Sequence, residues 1–248
     1  DHHGRVWVCT PRNGVLCFSD GVCQSYHPAD GLPDPFVTAV QVDREDHIWF
    51  ASWGGGVGRY DPCAIEKIDA GAGLPSAAVT TIAAADGGRI WAGFGSIEGL
   101  TSRSVACWDG DVMHIWGRSE GLVTEDCMVM QAHRSGVLYL GDWQGLVRTD
   151  GHTFQRLGPE QGFHGIRVYS LAEDEEGVLY IGHGDARQMH LTAYDGTSFT
   201  HRLTLDRDGN TYISSILVRR NGELWFGIGG LGDQFSDRGV GRCRDDGQ

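Results

Sequence analysis

Two tryptophans, Trp53 in "SWGGG" and Trp143 in "GDWQG", stand in short glycine-bearing segments, each four residues after another aromatic (Trp49, Tyr139). Segments of the same kind supply Asp142, His183, Asp185, Arg187 and Asp233. Indoles held on loops offer flat apolar faces, while a carboxylate, an imidazole and a guanidinium beside them offer hydrogen bonds. That set suits the noncovalent capture of a small polar ring. Trp53, Asp142, Trp143, His183 and Arg187 are therefore the expected ligand-binding residues. Packing against neighbouring elements is the competing use of the same side chains.

Other chemistry finds little support. The eleven histidines are scattered, with no HExxH and no metal-spaced cluster, and no GxSxG elbow is present. "AADGGRIW" only shadows the sialidase Asp-box and lacks its serine. The acids Asp174, Glu175 and Glu176 read as a solvated turn. No catalytic residue, metal or cofactor is expected. The seven cysteines (Cys9, Cys17, Cys23, Cys63, Cys107, Cys127, Cys243) form no CxxC pair. If "DG" at 20–21 is a hairpin turn, Phe18 faces Cys23 and Cys17 points the other way, so free buried thiols are expected. A formal net charge of −13 repels phosphate backbones, which argues against nucleic acid as a partner. No run of about 18 apolar residues exists to span a membrane, and no direct membrane contact is expected. The chain opens "DHHGRVW" and stops at "RDDGQ", and reads as a piece of something longer.

The segments that carry the candidate residues recur. "NGELWFGIG", "EGVLYIGHG", "SGVLYLGDW" and "DGGRIWAGFG" share one device, anchored at Trp7, Trp49, Trp91, Tyr139, Tyr180 and Trp225. The spacings are 42, 42, 48, 41 and 45 residues. Three positions before each anchor stand Gly4, Asp46, Gly88, Gly136, Gly177 and Gly222, as a turn needing positive φ would require. Nine positions before stand Val40, Ile82, Met130, Leu171 and Ile216, each in an apolar run; for Trp7 that position falls before residue 1. A third short run follows each anchor, and in every copy but the last a "DG" or "DP" turn leads to a fourth. Four short strands per repeat of about 40–50 residues is the pattern of a propeller blade. The expected fold is all-β with essentially no helix: a β-propeller of four-stranded antiparallel blades in one domain over 1–248. Six repeats are visible, the first and last incomplete, as part of a seven-bladed propeller. Each anchor is expected to lie buried between adjacent sheets, with the small residue and glycine after it letting neighbouring backbones approach.

"DGLPDPFVTAVQVDREDHIWFASWGGGVGRYD" (30–61) and "AGLPSAAVTTIAAADGGRIWAGFGSIEGL" (72–100) resemble the two-component regulator propeller repeat. The pattern is close around Trp49 and Trp91, moderate at Tyr139 and Tyr180, and loose at Trp225, where "DGNTYISSI" replaces the Gly-Leu-Pro segment. The resemblance implies an extracytoplasmic, periplasmic sensor region of a hybrid histidine kinase, non-enzymatic in itself, that responds to an oligosaccharide-like ligand. It also implies possible self-association in the parent protein. Two alternatives stand beside this reading. One is a protein–protein interaction platform. The other is a propeller lyase of the streptogramin lyase type, which shares a Gly-x-Ile-Trp-Phe pattern (here "DHIWFA") and uses a catalytic histidine, for which His183 is the candidate.

Overall fold

The computed structural model describes residues 1–10, 12–61, 64–97, 100–101, 104–124, 126–206, 211–230 and 239–243. Cys63 and Asp233 lie outside them. The chain is all-β and made of propeller blades, which we number 1 to 6, with strands A to D in chain order. Blade 1 holds strands B to D (Val6–Cys9, Val15–Ser19, Val22–Tyr26). Blades 2 to 5 are four-stranded, and blade 6 shows strands A to C (Thr211–Val218, Leu224–Gly230, Val240–Cys243). Among the described residues the sheets hold three strands, four four-stranded blades and three strands, plus a two-stranded hairpin (Ser96–Ile97, Leu100–Thr101). Among the described residues five three-residue 3-10 turns interrupt the strands, four of them where a D strand hands over to the next blade. The chain divides into two compact units, Asp1–Cys127 with blades 1 to 3 and Met128–Gln248 with blades 4 to 6.

The A–B turn explains the repeated device. All six turn positions have positive φ, including Asp46 at 66°. In three copies an aspartate six residues before the anchor organises that turn. Asp43 accepts the His47 backbone N–H at 2.8 Å and, through its other oxygen, the Trp49 indole N–H at 2.8 Å. Asp1 does the same for Arg5 and Trp7. Asp174 accepts the backbone N–H groups of Glu176 and Val178. A buried indole needs an acceptor, and a turn with open N–H groups needs one too. One carboxylate satisfies both.

Between blades the anchors wedge as expected. Trp7 meets Tyr60 of the next blade at 5.1 Å between centroids, Trp49 meets Trp108 at 5.5 Å, and Tyr139 meets Tyr194 at 6.2 Å. Two positions beyond the anchor there is no room for a side chain. A Cβ on Gly141 would lie 2.5 Å from Val168, and one on Gly182 would lie 2.9 Å from Ile213, both on strand A of the following blade. Hydroxyls tie strands A of successive blades together: Thr38 donates to the Val79 carbonyl at 2.8 Å and Ser170 to that of Ile213 at 2.8 Å. Thr80 donates to the Cys127 carbonyl at 2.5 Å, at the end of the first unit.

In blades 2, 3, 5 and 6 the residues flanking the anchor pack against the preceding blade: Ile48/Phe50, Ile90/Ala92, Leu179/Ile181 and Leu224/Phe226. With Leu138/Leu140 of blade 4, none is more than 5% exposed. In blade 1 the equivalent Val6 and Val8 are 59% and 40% exposed. Two anchors correct the sequence expectation, since Trp7 and Trp225 are only partly buried. Over Trp225 lies the guanidinium of Arg242, from its own sheet; Trp49 has the Arg59 guanidinium and, in addition, the Trp108 indole of another blade. Trp7 has Arg5 over its ring and is packed by Phe50 and Tyr60. An arginine stem leaves more of an indole uncovered than a full sheet does.

Cys9, Cys17, Cys23 and Cys107 are free thiols. Phe18 pairs with Cys23, so Cys17 and Cys23 occupy opposite faces, and Cys17 and Cys107 each sit opposite an anchor tryptophan. Burial raises the Cys9 and Cys107 thiols to about 12.

Replacing Trp49 with Phe keeps an aromatic ring but takes the indole donor from an Asp43 oxygen, leaving it the His47 ring, and should cost about 1–3 kcal/mol in urea denaturation. Replacing Trp91 with Ala should cost about 3–5 kcal/mol. Cys23 is the exposed thiol among those described. The fast phase of thiol labelling in the native protein should therefore lose one equivalent in a Cys23→Ser variant.

Candidate functional site

The third residue after each anchor forms a slot at the end of strand B. Ser52 fills it in blade 2, fully buried, donating to the Gly56 carbonyl at 2.8 Å. Asp142 fills it in blade 4 at 1% exposure. Its two oxygens accept from Arg156 on strand D at 3.0 and 2.7 Å, and one also accepts the Gln144 backbone N–H. This carboxylate is thus engaged inside its own blade rather than presented to solvent. His183 fills the slot in blade 5 at 8% exposure.

The next position carries the two indoles, which the structure places in different units. Trp53 is partly buried against Phe36, at 6.1 Å between centroids. Trp143 is 42% exposed and meets Tyr169 edge-on at 6.1 Å; Tyr169 in turn stacks on Tyr212 at 4.6 Å. Arg187 is exposed at the tip of the blade 5 B–C loop, where Asp185 accepts its backbone N–H at 2.6 Å.

His183 opens onto a cavity of about 430 Å³ in blade 5. Strand B (Leu179–Gly184) brings His183, strand C (Gln188–Tyr194) brings His190 and Thr192, and strand D (Phe199–Asp206) brings Phe199 and His201. Register makes the row: His183 pairs with His190 across B and C, and Thr192 with His201 across C and D. The segment 162–166, which leads from blade 4 into blade 5, closes the cavity with Phe163. The ring nitrogen Nε2 of His183 lies 2.9 Å from the Thr192 hydroxyl, and its ring stacks on His190 at 5.2 Å and meets Phe163 edge-on at 5.2 Å. His190 and His201 share Thr204, at 3.0 and 3.1 Å. Burial, reinforced by the neighbouring His190 and His201, holds the His183 pKa at about 4, so the ring is neutral at pH 7. The His190 pKa is lowered in the same way.

The sequence reading picked out His183 and missed Phe163, His190, Thr192, Phe199 and His201. A signal was present. His190 and Thr192 alternate with period two on strand C, and "GFH" at 162–164 stands where other copies have Gly-Leu-Pro. As for metals, Asp43, Glu45 and His47 bring ligand atoms within 4.8 Å of one another, but Asp43 already serves Trp49 and His47. Among the described residues no helix is long and apolar enough to cross a membrane.

Residues 31–54, which span the turn into blade 2, its first two strands and Trp53, match the family model of the two component regulator propeller. The segment is a two-component regulator propeller repeat. No curated protein matches the chain. Among solved structures, the chain is similar to the extracellular domain of BT3049 from B. thetaiotaomicron, named for a hybrid two component system (TM-score 0.75, 17% identity, 99% of this chain and 33% of that one). It is also similar to the extracellular domain of BT4673 from the same organism (TM-score 0.72, 14% identity, 92% and 33%). A third similarity is to virginiamycin B lyase from Staphylococcus aureus (TM-score 0.69, 15% identity, 98% and 82%). At these identities the likeness is one of fold. The chain spans about a third of the two extracellular domains.

The His183 environment has a measurable consequence. The unfolded chain takes up a proton on this ring near pH 6.5, whereas the folded protein refuses it until about pH 4. Between these values the unfolded state holds more protons, so stability falls as pH drops through the window, by roughly 3 kcal/mol in all. Asp109 and Asp150, held at about 2 mainly by backbone N–H groups of their turns, lose their contribution below it. Urea midpoints at pH 7 and pH 4.5 should therefore differ less in a His183→Phe variant than in the wild type.

Proposed function

We propose that this chain is the ligand-sensing propeller of an extracytoplasmic bacterial signalling protein and that it recognises an oligosaccharide-like molecule. The observation that carries the reading is the two-component regulator propeller repeat at residues 31–54. The fold shared with extracellular domains of two proteins named for signalling systems supports it. Aromatic surfaces on the B–C loops fit the role: Trp53 beside Phe36 in one unit, and Trp143 beside Tyr169 in the other. Each offers a face on which a sugar ring can stack, with Arg187 on a loop tip to reach hydroxyls. Asp142, bound by Arg156, acts in this reading by holding the base of the Trp143 loop.

A second reading, a protein-interaction platform, draws support from blade 1, where Val6, Val8, Phe18 and Val22 are all at least 40% exposed. Stacking plus a few hydrogen bonds on an open surface gives affinities on the order of micromolar to millimolar. A glycan array followed by calorimetry on the full-length protein should find a glycan that binds. A Trp53→Ala/Trp143→Ala double variant should bind it at least tenfold more weakly. Equal binding by the double variant would assign both indoles to packing.

A further inference from the structure

We infer that the saccharide taken up beside Trp143 carries a carboxylate, as a uronate does, and that the Arg167 guanidinium receives it. This inference rests on the sensor reading above and narrows its ligand class. The place is the rim of blades 4 and 5, where the segment 165–167 runs between two B–C loops. A Cβ on Gly145 would lie 3.1 Å from the Gly165 carbonyl oxygen. The Ile166 carbonyl accepts the Gly184 N–H at 3.1 Å, and the Arg167 N–H donates to the Trp143 carbonyl at 3.2 Å. Arg167 and Trp143 are thus main-chain neighbours. The Trp143 indole, 42% exposed, is braced by Tyr169, on which Tyr212 stacks.

Two observations single out Arg167. The first is its backbone, which has φ of 52°. Among the described residues the other non-glycine positions with positive φ are Asp20 and Asp46, both in hairpin turns, where aspartate is tolerated. A long side chain held in that region is strained, and such strain gathers at ligand sites. The second is its charge. In the same unit Arg134, Arg156, Arg219, Arg220 and Arg242 each reach a carboxylate at 2.7–3.3 Å. Among the described residues the Arg167 guanidinium makes no hydrogen bond and no ion pair, and it reaches solvent. Arg187 on the adjoining loop is already engaged. Asp185 is held below the usual carboxylate range mainly by the Arg187 and Gln188 backbone N–H groups, and in part by the Arg187 charge. In a chain of net charge −13, an uncommitted cation beside an open indole is a specific feature. A guanidinium matches a carboxylate with two parallel hydrogen bonds and gives up its hydration more readily than an ammonium does. A uronate stacked on an indole carries its carboxylate at the ring edge, clear of the π face, and Arg167 is the cation that borders that edge. A neutral hexose would leave this charge in water and gain little from it.

The test is calorimetric titration of the full-length protein with short oligosaccharides of galacturonate, glucuronate or mannuronate, each paired with its carboxyl-reduced counterpart. A uronate should bind with Kd on the order of micromolar to millimolar, and its reduced counterpart about tenfold more weakly. Arg167→Asn removes the cation and puts at this φ a residue that tolerates it, so its urea midpoint should be no lower than that of the wild type. In this variant both members of a pair should bind alike. Trp143→Ala should weaken both. Reduced counterparts that bind as well as the uronates, a charge preference that survives in Arg167→Asn, or a lower urea midpoint in that variant would each overturn the inference. The sensor reading would still stand if Trp143→Ala weakened binding. Undiminished binding in Trp143→Ala, or no binding in either series, would overturn both.

Discussion

Within each unit the packing depends on one contact distance, the approach of strand B in one blade to strand A of the next. At Gly141 and Gly182 there is no room for a side chain, because Val168 and Ile213 already occupy the space. With the strands that close, the hydroxyls of Thr38 and Ser170 reach carbonyls on strand A of the next blade. The anchors, two residues earlier, then meet an aromatic of the next sheet rather than water. Packing density and hydrogen bonding are thus set together, since moving the strands apart would open voids and break bonds in one step.

The frame was readable from the sequence because its constraints are steric and local. A turn with positive φ admits glycine and few other residues, so five glycines and Asp46 mark the six A–B turns without any knowledge of tertiary contacts. The period of the anchors then counts the blades. Partial burial of Trp7 and Trp225 escaped this reasoning, because burial depends on what lies over a residue, and sequence period gives every anchor the same rank.

The site was harder to read for a related reason. Asp142 and Trp143 are neighbours, yet the carboxylate turns into the blade to Arg156, fourteen residues on, while the indole stays outside. No spacing rule announces that pairing. The histidines around His183 come from three strands and meet only through their register, and the ring that closes the cavity comes from the preceding segment at Phe163. Chemistry assembled across strands is diluted along the chain, whereas the turns that hold the strands are concentrated in it.

Ser52, Asp142 and His183 share one address, three residues past an anchor, and differ completely in what they do there. A hydroxyl, a carboxylate with its guanidinium, and an imidazole over a cavity are all seated by the same hairpin, at residues the turn and the close approach leave unconstrained. A blade of this design behaves as a socket. Exchanging the fitting alters one sheet's chemistry while the scaffold next door is left alone, so a repeat protein can diversify by trial in one copy while the others go on working.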